Sequence, residues 1–246
     1  MKRILDLIFP DNIYCISCGS MIDRTRPYSL CNTCMKDLHW ITGRSCAICG
    51  KALSDTYDGR ICYDCMGGHH AFDRGISAVE YGNAERAMMM DFKYGGRSYM
   101  ARHLGEIMYD RLMLEDWDID AITSVPAHVS GIRERGYDQS ELLAKEISRR
   151  AGIPYRKLLK RTRETGPLKK MSRGERFAAL DGAFGLIDPA GIREGKGLKT
   201  DNILIVDDIY TTGATVDACA KVLKESIARK VYVLTFASGY NRRPKE

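Results

Sequence analysis

Two carboxylates and a threonine-rich turn follow a short apolar run near the end of the chain. Ile203–Val206 is apolar and mostly β-branched, which is typical of a buried parallel strand, and Asp207 and Asp208 come directly after it. The turn that runs from Thr211 to Thr215 leads into a helical pattern of apolar residues. In open α/β sheets, ligands bind where a strand ends and its loop opens into a helix. The segment therefore predicts a ligand site on this turn.

The residue types of the turn indicate which ligand it takes. A helix N-terminus offers unpaired N–H groups to a phosphate, Gly213 allows close backbone approach, and threonine hydroxyls add donors. Asp207 and Asp208 repel phosphate but suit the vicinal hydroxyls of a ribose, so a ribose 5-phosphate fits the whole segment. A strand, turn and helix in which an Asp only caps the helix is one alternative, but a cap needs one such residue rather than five polar ones. A Walker phosphate loop is excluded, because no Gly-Lys-Ser/Thr follows the turn. The predicted ribose-5-phosphate residues are Asp207, Asp208, Ile209, Tyr210, Thr211, Thr212, Gly213, Ala214 and Thr215.

Eight of the nine cysteines form four Cys-x-x-Cys pairs, arranged as two sets that repeat in register 31 residues apart. Twelve residues separate the pairs within each set, and Gly19 and Met35 of the first set match Gly50 and Met66 of the second. Two such pairs complete a tetrahedral Cys₄ zinc site, so the repeat predicts two zinc ions. The predicted ligands are Cys15, Cys18, Cys31 and Cys34 for one ion, and Cys46, Cys49, Cys62 and Cys65 for the other.

Disulfides and a thioredoxin-like redox role are the competing interpretations of these cysteines. The chain opens with an apolar run that Asp6 and Pro10 interrupt, too short for a signal peptide. We therefore expect a cytoplasmic protein without a membrane span, in which this spacing favours metal over disulfides. A redox motif needs one pair rather than four. Four thiolates leave no open coordination position, so the zinc ions are expected to be structural.

Positive charge is concentrated in the middle of the chain, although the net charge is only +6. Residues 131–176 contain fourteen Lys/Arg against six Asp/Glu, including a Gly- and Pro-containing stretch with Arg161, Arg163, Lys169, Lys170 and Arg173. Solvated helix faces account for the charges near residues 145–150 but not for this stretch. We expect it to close over a pyrophosphate or to contact a nucleic-acid backbone.

The order of predicted elements is that of an α/β domain behind a metal-binding module. We expect a short amphipathic helix at Met1–Phe9 and the double zinc ribbon within residues 1–70, followed by the α/β domain at 71–246. Strands alternating with helices imply a parallel sheet flanked by helices. The predicted strands are Gly75–Tyr81, Asp120–Val125, Tyr155–Leu159, Ala183–Leu186, Ile203–Val206 and Val231–Ala237. The predicted helices are Ala84–Phe92, Ser98–Leu114, Arg135–Gly152 and one after the Thr/Gly turn.

A second loop is expected beside the Asp pair. Pro126 follows the predicted strand Asp120–Val125, as Asp207 follows the predicted strand Ile203–Val206. Both loops should therefore face the same crevice, and the loop after Pro126 brings basic groups at the start of the next helix. The candidates for the pyrophosphate side are Lys93, Tyr94, Pro126, Ala127, His128, Arg133 and Arg135. An exposed loop histidine without a role is the alternative for His128.

The Asp207–Thr215 segment resembles the signature of type I phosphoribosyltransferases, which bind 5-phosphoribosyl 1-pyrophosphate (PRPP) with Mg²⁺. Nearly the whole chain resembles the ComF family of competence proteins, ComFC type. The motifs that carry this resemblance are the Cys-x-x-Cys units, Lys93-Tyr-x-Gly, Val125-Pro, Arg133-x-Arg-Gly-Tyr-Asp-Gln, Leu159-x-Arg-x-Arg-x-Thr and Gly182-Ala-Phe. The resemblance implies a type I phosphoribosyltransferase fold, PRPP and Mg²⁺ as ligands, single-stranded DNA as a partner, and a role in natural transformation.

Two positions depart from the ComF pattern: Leu168 stands where Gln is usual, and Ala179 where Asn is usual. Three functions stay open. In the first, the chain is a PRPP-dependent transferase, for example in nucleotide salvage, with Asp207 and Asp208 in the catalytic role. In the second, it is a DNA-handling factor that uses PRPP as a regulatory ligand. In the third, it is an adaptor whose zinc module docks a helicase-type protein. Tyr14, Trp40, Tyr57 and Tyr63 are scattered aromatic residues that could stack on bases.

Overall fold

The computed structural model describes residues 12–68, 70–166, 171–188 and 201–241. The predicted helix at Met1–Phe9 and the departure at Leu168 lie outside these residues, as do Lys169 and Lys170. The strands are β1 Arg74–Glu80, β2 Ala121–Ser124, β3 Leu159–Arg161, β4 Phe184–Leu186, β5 Asn202–Tyr210 and β6 Lys230–Ser238. The helices are α1 Asn32–Asp37, α2 Tyr63–Met66, α3 Asn83–Tyr94, α4 Met100–Leu112, α5 Val129–Arg135, α6 Gln139–Ala151, α7 Arg173–Leu180 and α8 Ala214–Ser226.

A four-stranded sheet in the order β1-β6-β5-β2 forms the centre of the described chain. All three strand pairs are parallel, as the alternation of strands and helices predicts. Ile203–Val206 of β5 and Val231–Leu234 of β6 are apolar and almost completely buried, because helices cover both faces of the sheet. The α/β fold class is thereby confirmed.

Strand β5 is longer than the apolar run Ile203–Val206 predicts. Its pairing with β2 ends at Val206 opposite Ser124, but its pairing with β6 continues to Tyr210 opposite Ser238. Asp207 and Asp208 therefore lie within β5, beyond the end of β2, rather than after the strand. The shorter neighbour leaves one edge of this part of β5 open to a ligand.

Strands β3 and β4 do not join the parallel sheet, which corrects the prediction for the middle of the chain. They pair antiparallel with each other, and Tyr155 of the predicted strand Tyr155–Leu159 makes only an isolated bridge to Ile122. Leu159 and Phe184 bury their side chains in the same apolar cluster as helix α8. The small sheet is thus held by packing on that helix rather than by the main sheet.

The predicted helix Arg135–Gly152 begins later, at Gln139, as α6, and its first residue, Arg135, is the last residue of the separate helix α5. Gly136, at φ +81°, ends α5 in the left-handed region, which glycine adopts without strain. Asp138 then caps α6 by accepting a hydrogen bond from Glu141 N at 3.1 Å. The break allows the loop before α6 to turn toward the end of β5.

The two cysteine sets pack on opposite faces of the main sheet. Cys15 and Cys34 belong to the apolar cluster that contains α3 and α4, whereas Cys46 and Cys62 belong to the cluster that contains α8. The second set lies directly against strand β1: a Cβ added to Gly50 would come within 2.5 Å of backbone atoms of that strand. A domain boundary after residue 70 stays a prediction. Among the described helices, none has the length and apolar composition needed to cross a membrane.

Candidate functional site

Each cysteine set converges on a single point, as the repeat predicts. Within each set, one Sγ atom per cysteine lies within 4.8 Å of the others. Sγ of Cys18 is 3.8 Å from Sγ of Cys31, and Sγ of Cys49 is 3.5 Å from Sγ of Cys62. A tetrahedral zinc with bonds of about 2.3 Å requires sulfurs about 3.8 Å apart. Both clusters therefore fit one Cys₄ metal ion each and are consistent with two structural zinc ions.

The two clusters differ in their accessibility. All four cysteines of the second cluster are buried, whereas Cys18 of the first is exposed. Backbone N–H groups point at sulfur in both: Cys31 N donates to Cys15 Sγ at 3.4 Å, and Cys62 N donates to Cys46 Sγ at 3.3 Å. Such contacts stabilise the thiolate form that a metal binds.

A cleft of about 450 Å³ opens at the carboxyl ends of β2 and β5. It is the location expected for a ligand in a parallel sheet, because loops and helix N-termini meet there. From the predicted ribose-5-phosphate set, Asp207, Asp208, Ile209, Thr211 and Thr215 line the cleft. From the predicted pyrophosphate side, Lys93, Tyr94, Pro126, Ala127, His128 and Arg135 line it. Arg133 does not line it; its side chain is exposed.

The two carboxylates of the site share a single lysine. Lys93 Nζ forms an ion pair with Asp208 Oδ2, while Asp207 Oδ1 accepts hydrogen bonds from Ser140 Oγ at 2.7 Å and from Asp208 N at 2.9 Å. Burial and, next, the Asp208 carboxylate raise the pKa of Asp207 to about 7. Burial is the largest single effect on the pKa of Lys93 and lowers it, but the combined interactions with Asp208, Asp207 and Tyr94 outweigh burial and raise that pKa.

The Asp207 and Asp208 side chains are less exposed than residues at the end of a strand usually are. Carboxylates that directly follow a strand are expected to face solvent, but Asp208 is only 9% exposed and Asp207 is partly buried. The reason is that β5 continues past them and that Ser140, at the start of α6, covers Asp207. When Asp207 is ionised, two carboxylates therefore share the single ammonium group of Lys93.

The threonine-rich turn leads into helix α8 through a left-handed backbone conformation that favours glycine. Gly213 is the N-cap of α8 at φ +82°. A Cβ at this position would come within 2.3 Å of the Tyr210 hydroxyl, so only glycine fits. Thr211 Oγ1 accepts a hydrogen bond from Arg176 at 3.2 Å, while Thr212 contacts Ala214 N at 3.5 Å and does not line the cleft.

Tyr210 and Ala214 lie behind the turn rather than in the cleft. Both are buried in the cluster of the second cysteine set. The ring of Tyr210 packs edge-on against Phe72, and Lys51 Nζ lies 5.7 Å from its centre. Burial and, next, the negative charge of the Cys49 thiolate raise the pKa of Tyr210. The second Cys₄ unit thus supports the turn from the rear.

Three residues of the cleft were missed by sequence reasoning as site residues. Ser140 donates a hydrogen bond to Asp207, Gln139 is 3% exposed beside it, and Arg161 also lines the cleft. Arg161 donates to Pro126 O at 3.2 Å, packs 5.0 Å from the ring centre of Phe184, and has a pKa lowered by burial. Ser140 could have been found in the sequence from its place just after the helix cap Asp138. Arg161 belongs to the basic stretch, which was expected to contact a nucleic-acid backbone or to close over a pyrophosphate.

The loop after Pro126 is held by the cap of helix α6. Asp138, which caps α6, also accepts a hydrogen bond from Ala127 N at 2.9 Å. His128 Nδ1 accepts from Ser130 N at 3.3 Å, and its Nε2 lies 3.6 Å from Glu164. The carbonyl of Ala179, the second departure from the ComF pattern, accepts a hydrogen bond from Arg163 at 3.0 Å.

Comparisons with known proteins agree with this architecture. Residues 4–66 match the family described as double zinc ribbon domain, and residues 103–246 match the phosphoribosyl transferase domain. Competence protein F of Haemophilus influenzae is 25% identical over 228 residues, which cover 90% of this chain and 95% of the relative. Competence protein ComFC of Streptococcus pneumoniae is 25% identical over 232 residues, 88% of this chain and 96% of the relative.

A third relative carries a different name. DNA utilization protein YhgH of Escherichia coli is 27% identical over 225 residues, which cover 83% of this chain and 94% of the relative. The phosphoribosyl transferase match covers more than half of the chain, and the double zinc ribbon precedes it. The chain therefore belongs to the ComF family, in which a double zinc ribbon is followed by a phosphoribosyl transferase domain.

Proposed function

We propose that the cleft binds PRPP. Asp207 and Asp208 accept hydrogen bonds from the ribose hydroxyls, and the Thr211–Thr215 turn with the N-terminus of α8 binds the 5-phosphate. The observation that supports this most directly is that the carboxylate pair and the turn open into the same cleft of about 450 Å³. That volume suits a ligand of this size.

The basic residues of the cleft support the binding of a pyrophosphate group. Arg135 and Arg161 line the cleft and provide the positive charge that a pyrophosphate requires, and His128 lines it as well. Nε of Arg135 is buried and has no hydrogen-bond partner among the described residues, as expected for a group that awaits an anion. Mg²⁺ prefers oxygen ligands and commonly joins carboxylates to substrate phosphates; the Asp207 and Asp208 carboxylates offer such oxygens, and the ion would neutralise pyrophosphate charge.

We further propose that the protein acts on DNA, with single-stranded DNA as its partner in transformation or DNA use. The names of the relatives, competence protein and DNA utilization protein, support this assignment. The excess of eight positive charges in residues 131–176 supports it independently, because phosphate contacts dominate nucleic-acid affinity. In this proposal, PRPP is the ligand of the cleft and DNA binds elsewhere on the same chain.

Calorimetry on the zinc-loaded full chain tests the PRPP assignment. PRPP with Mg²⁺ should bind more tightly than ribose 5-phosphate, and a protein with Asp207→Asn and Asp208→Asn should lose at least tenfold in affinity. The Asn side chains keep the size of the site, and Asp58→Asn, an exposed change in the zinc module, is the matched control. Equal PRPP affinity in the double variant and the control would contradict the assignment.

A transferase of nucleotide metabolism is the second candidate function. It is favoured by the Asp207 carboxylate, which is held at the position expected for the ribose and carries a pKa near 7. Release of pyrophosphate from PRPP, assayed with each nucleobase and with single-stranded oligonucleotides, distinguishes the two. Base-dependent release supports a transferase, and binding without release supports PRPP as a ligand of a DNA-handling protein.

A further inference from the structure

Helix α7 brings an arginine to the Thr211–Thr215 turn from outside the strand, turn and helix that form it. Arg176, the fourth residue of α7, donates from Nη1 to Thr211 Oγ1 at 3.2 Å and from Nε to Met171 O at 3.1 Å. Thr211 is the first residue of the turn and lines the cleft. The guanidinium group of Arg176 therefore lies at the edge of the proposed 5-phosphate site.

The position of this guanidinium is set by a packed helix. Leu180 of α7 is completely buried, and Phe177 packs in the same apolar cluster as helix α8. Asp181, at the end of α7, forms an ion pair with Lys221 of α8 at 3.1 Å. Because α7 is attached to α8 in this way, Arg176 is held next to the turn that begins α8.

Arg176 carries a charge that no carboxylate neutralises in the described part of the chain. Its two hydrogen bonds there go to neutral oxygen atoms, and no ion pair between described residues includes it. The acidic side chains of the neighbouring helices are engaged elsewhere. Glu175 of α7 accepts a hydrogen bond from Ser172 N at 2.6 Å, and Asp217 of α8 accepts one from Ala71 N at 2.6 Å.

The surroundings of this charge are themselves positive. The N-terminus of α8 begins at Gly213, two residues after Thr211. A helix N-terminus carries a partial positive charge, so a cation beside it is unfavourable unless an anion lies close to both. The same holds for the helix that carries Arg176, because this residue stands at the end of the first turn of α7. The arrangement is therefore unfavourable without a ligand and favourable with an anion on the turn.

We propose that Arg176 binds the 5-phosphate of the ligand and makes the turn selective for a phosphate monoester dianion. A guanidinium has five N–H donors, and two of those of Arg176 have partners among the described residues, so others can reach phosphate oxygens. Because Thr211 Oγ1 accepts from Arg176, its own O–H stays available to donate to the same phosphate. The inference rests on the proposed function for the ligand and adds a residue to its 5-phosphate site.

Calorimetry at pH 8 on the zinc-loaded full chain, with two ligands that divide PRPP between them, tests this role. Ribose 5-phosphate carries the 5-phosphate alone, and magnesium pyrophosphate carries the other group alone. Arg176→Gln should weaken the binding of ribose 5-phosphate and of PRPP roughly 10- to 100-fold, the range for a hydrogen bond between charged groups, and leave pyrophosphate affinity unchanged. Arg176→Lys should recover part of the loss, because it keeps the charge.

A matched control removes the same charge at a distance. Arg229 is exposed and follows the other end of α8, about 20 Å from the turn along the helix axis. Arg229→Gln should therefore keep the wild-type affinity for all three ligands. The thermal midpoint of the ligand-free Arg176→Gln protein should not fall, because the guanidinium has no carboxylate partner to lose.

Three outcomes would overturn the proposal. The first is wild-type affinity for ribose 5-phosphate in Arg176→Gln. The second is a loss of pyrophosphate affinity with ribose 5-phosphate binding intact, which would place Arg176 over the pyrophosphate instead. The third is a lower thermal midpoint together with equal losses for both ligands, which would make Arg176 a structural residue.

The variant with Asp207→Asn and Asp208→Asn separates this inference from the proposed function. If PRPP binding depends on the two carboxylates but not on Arg176, the role of Arg176 is refuted and the PRPP site stands. If the wild type binds neither PRPP nor ribose 5-phosphate, the proposed function fails and the role of Arg176 fails with it.

Discussion

Replacing Asp207 by Asn should stabilise the ligand-free protein while it weakens PRPP binding. Asp207 and Asp208 share one counter-charge, Lys93, so ionised Asp207 is an excess buried charge. A pKa of about 7 in the folded state, against about 3.9 in the unfolded chain, corresponds to about 4 kcal/mol at 1.36 kcal/mol per pKa unit. Because the residue is partly accessible, solvent screening reduces this, and we expect about 2 kcal/mol.

The dependence on pH gives the prediction its sign. The folded protein binds this proton more tightly than the unfolded chain does, so the wild type loses stability as the pH rises from about 4 to about 7. Asn cannot ionise, and its Oδ1 can still accept the hydrogen bonds of Ser140 and of Asp208 N. The advantage of the variant should therefore grow from pH 5 to pH 7 and stay constant above.

Urea unfolding followed by tryptophan fluorescence, with zinc present and without PRPP, measures this difference at pH 6 and pH 8. The matched control is Asp208→Asn, which removes the ion-pair partner of Lys93 and should destabilise the protein instead. An Asp207→Asn protein less stable than the wild type at pH 8 would refute the reasoning. So would a stability difference that is the same from pH 5 to pH 8.

Three further changes probe the supports of the site. Gly213→Ala should weaken PRPP binding at least tenfold in calorimetry. The left-handed backbone costs an alanine about 1–2 kcal/mol, and the new methyl group displaces the Tyr210 hydroxyl. Unchanged affinity would show that the turn tolerates a side chain. Cys62→Ser should reduce both the zinc content and PRPP affinity, whereas Cys18→Ser should reduce the zinc content and leave PRPP affinity intact, because only the second cluster packs behind the turn; metal analysis and calorimetry on both variants check this, and equal losses of PRPP affinity would contradict it. Glu85→Ala should lower the free energy of unfolding in urea by about 3 kcal/mol without changing PRPP affinity. The buried Glu85 carboxylate accepts hydrogen bonds from His39 N, in the chain before β1, and from Gly82 N, at the cap of α3. A loss below about 1 kcal/mol would contradict this prediction.

The sequence was most informative where a function depends on residues close together in the chain. The eight metal-binding cysteines repeat at fixed spacing, and each set can be assigned without knowledge of the fold. The carboxylates and the turn up to Thr215 form a similar local unit, since strand, turn and helix N-terminus are consecutive. Their types and order were sufficient to predict the α/β class and the edge of the sheet that carries the cleft.

Tertiary structure decided everything that depends on residues distant in sequence. Three contacts of the site join residues that are 35 to 115 positions apart in the chain: Lys93 with Asp208, Ser140 with Asp207, and Arg161 with Pro126. Strand length was also decided there, because β6 extends β5 to Tyr210 while β2 stops early. Burial follows from these neighbours and not from residue type, which is why carboxylates expected to face solvent are largely enclosed.

The placement of the zinc units shows the same division. Internal repetition determines two equivalent Cys₄ sites, but it carries no information on what each unit packs against. In the folded chain, the first unit packs in the apolar cluster of α3 and α4, and the second supports the turn at Gly213. Two copies of one local motif thus acquire different surroundings, because the chain passes from one face of the sheet to the other between them.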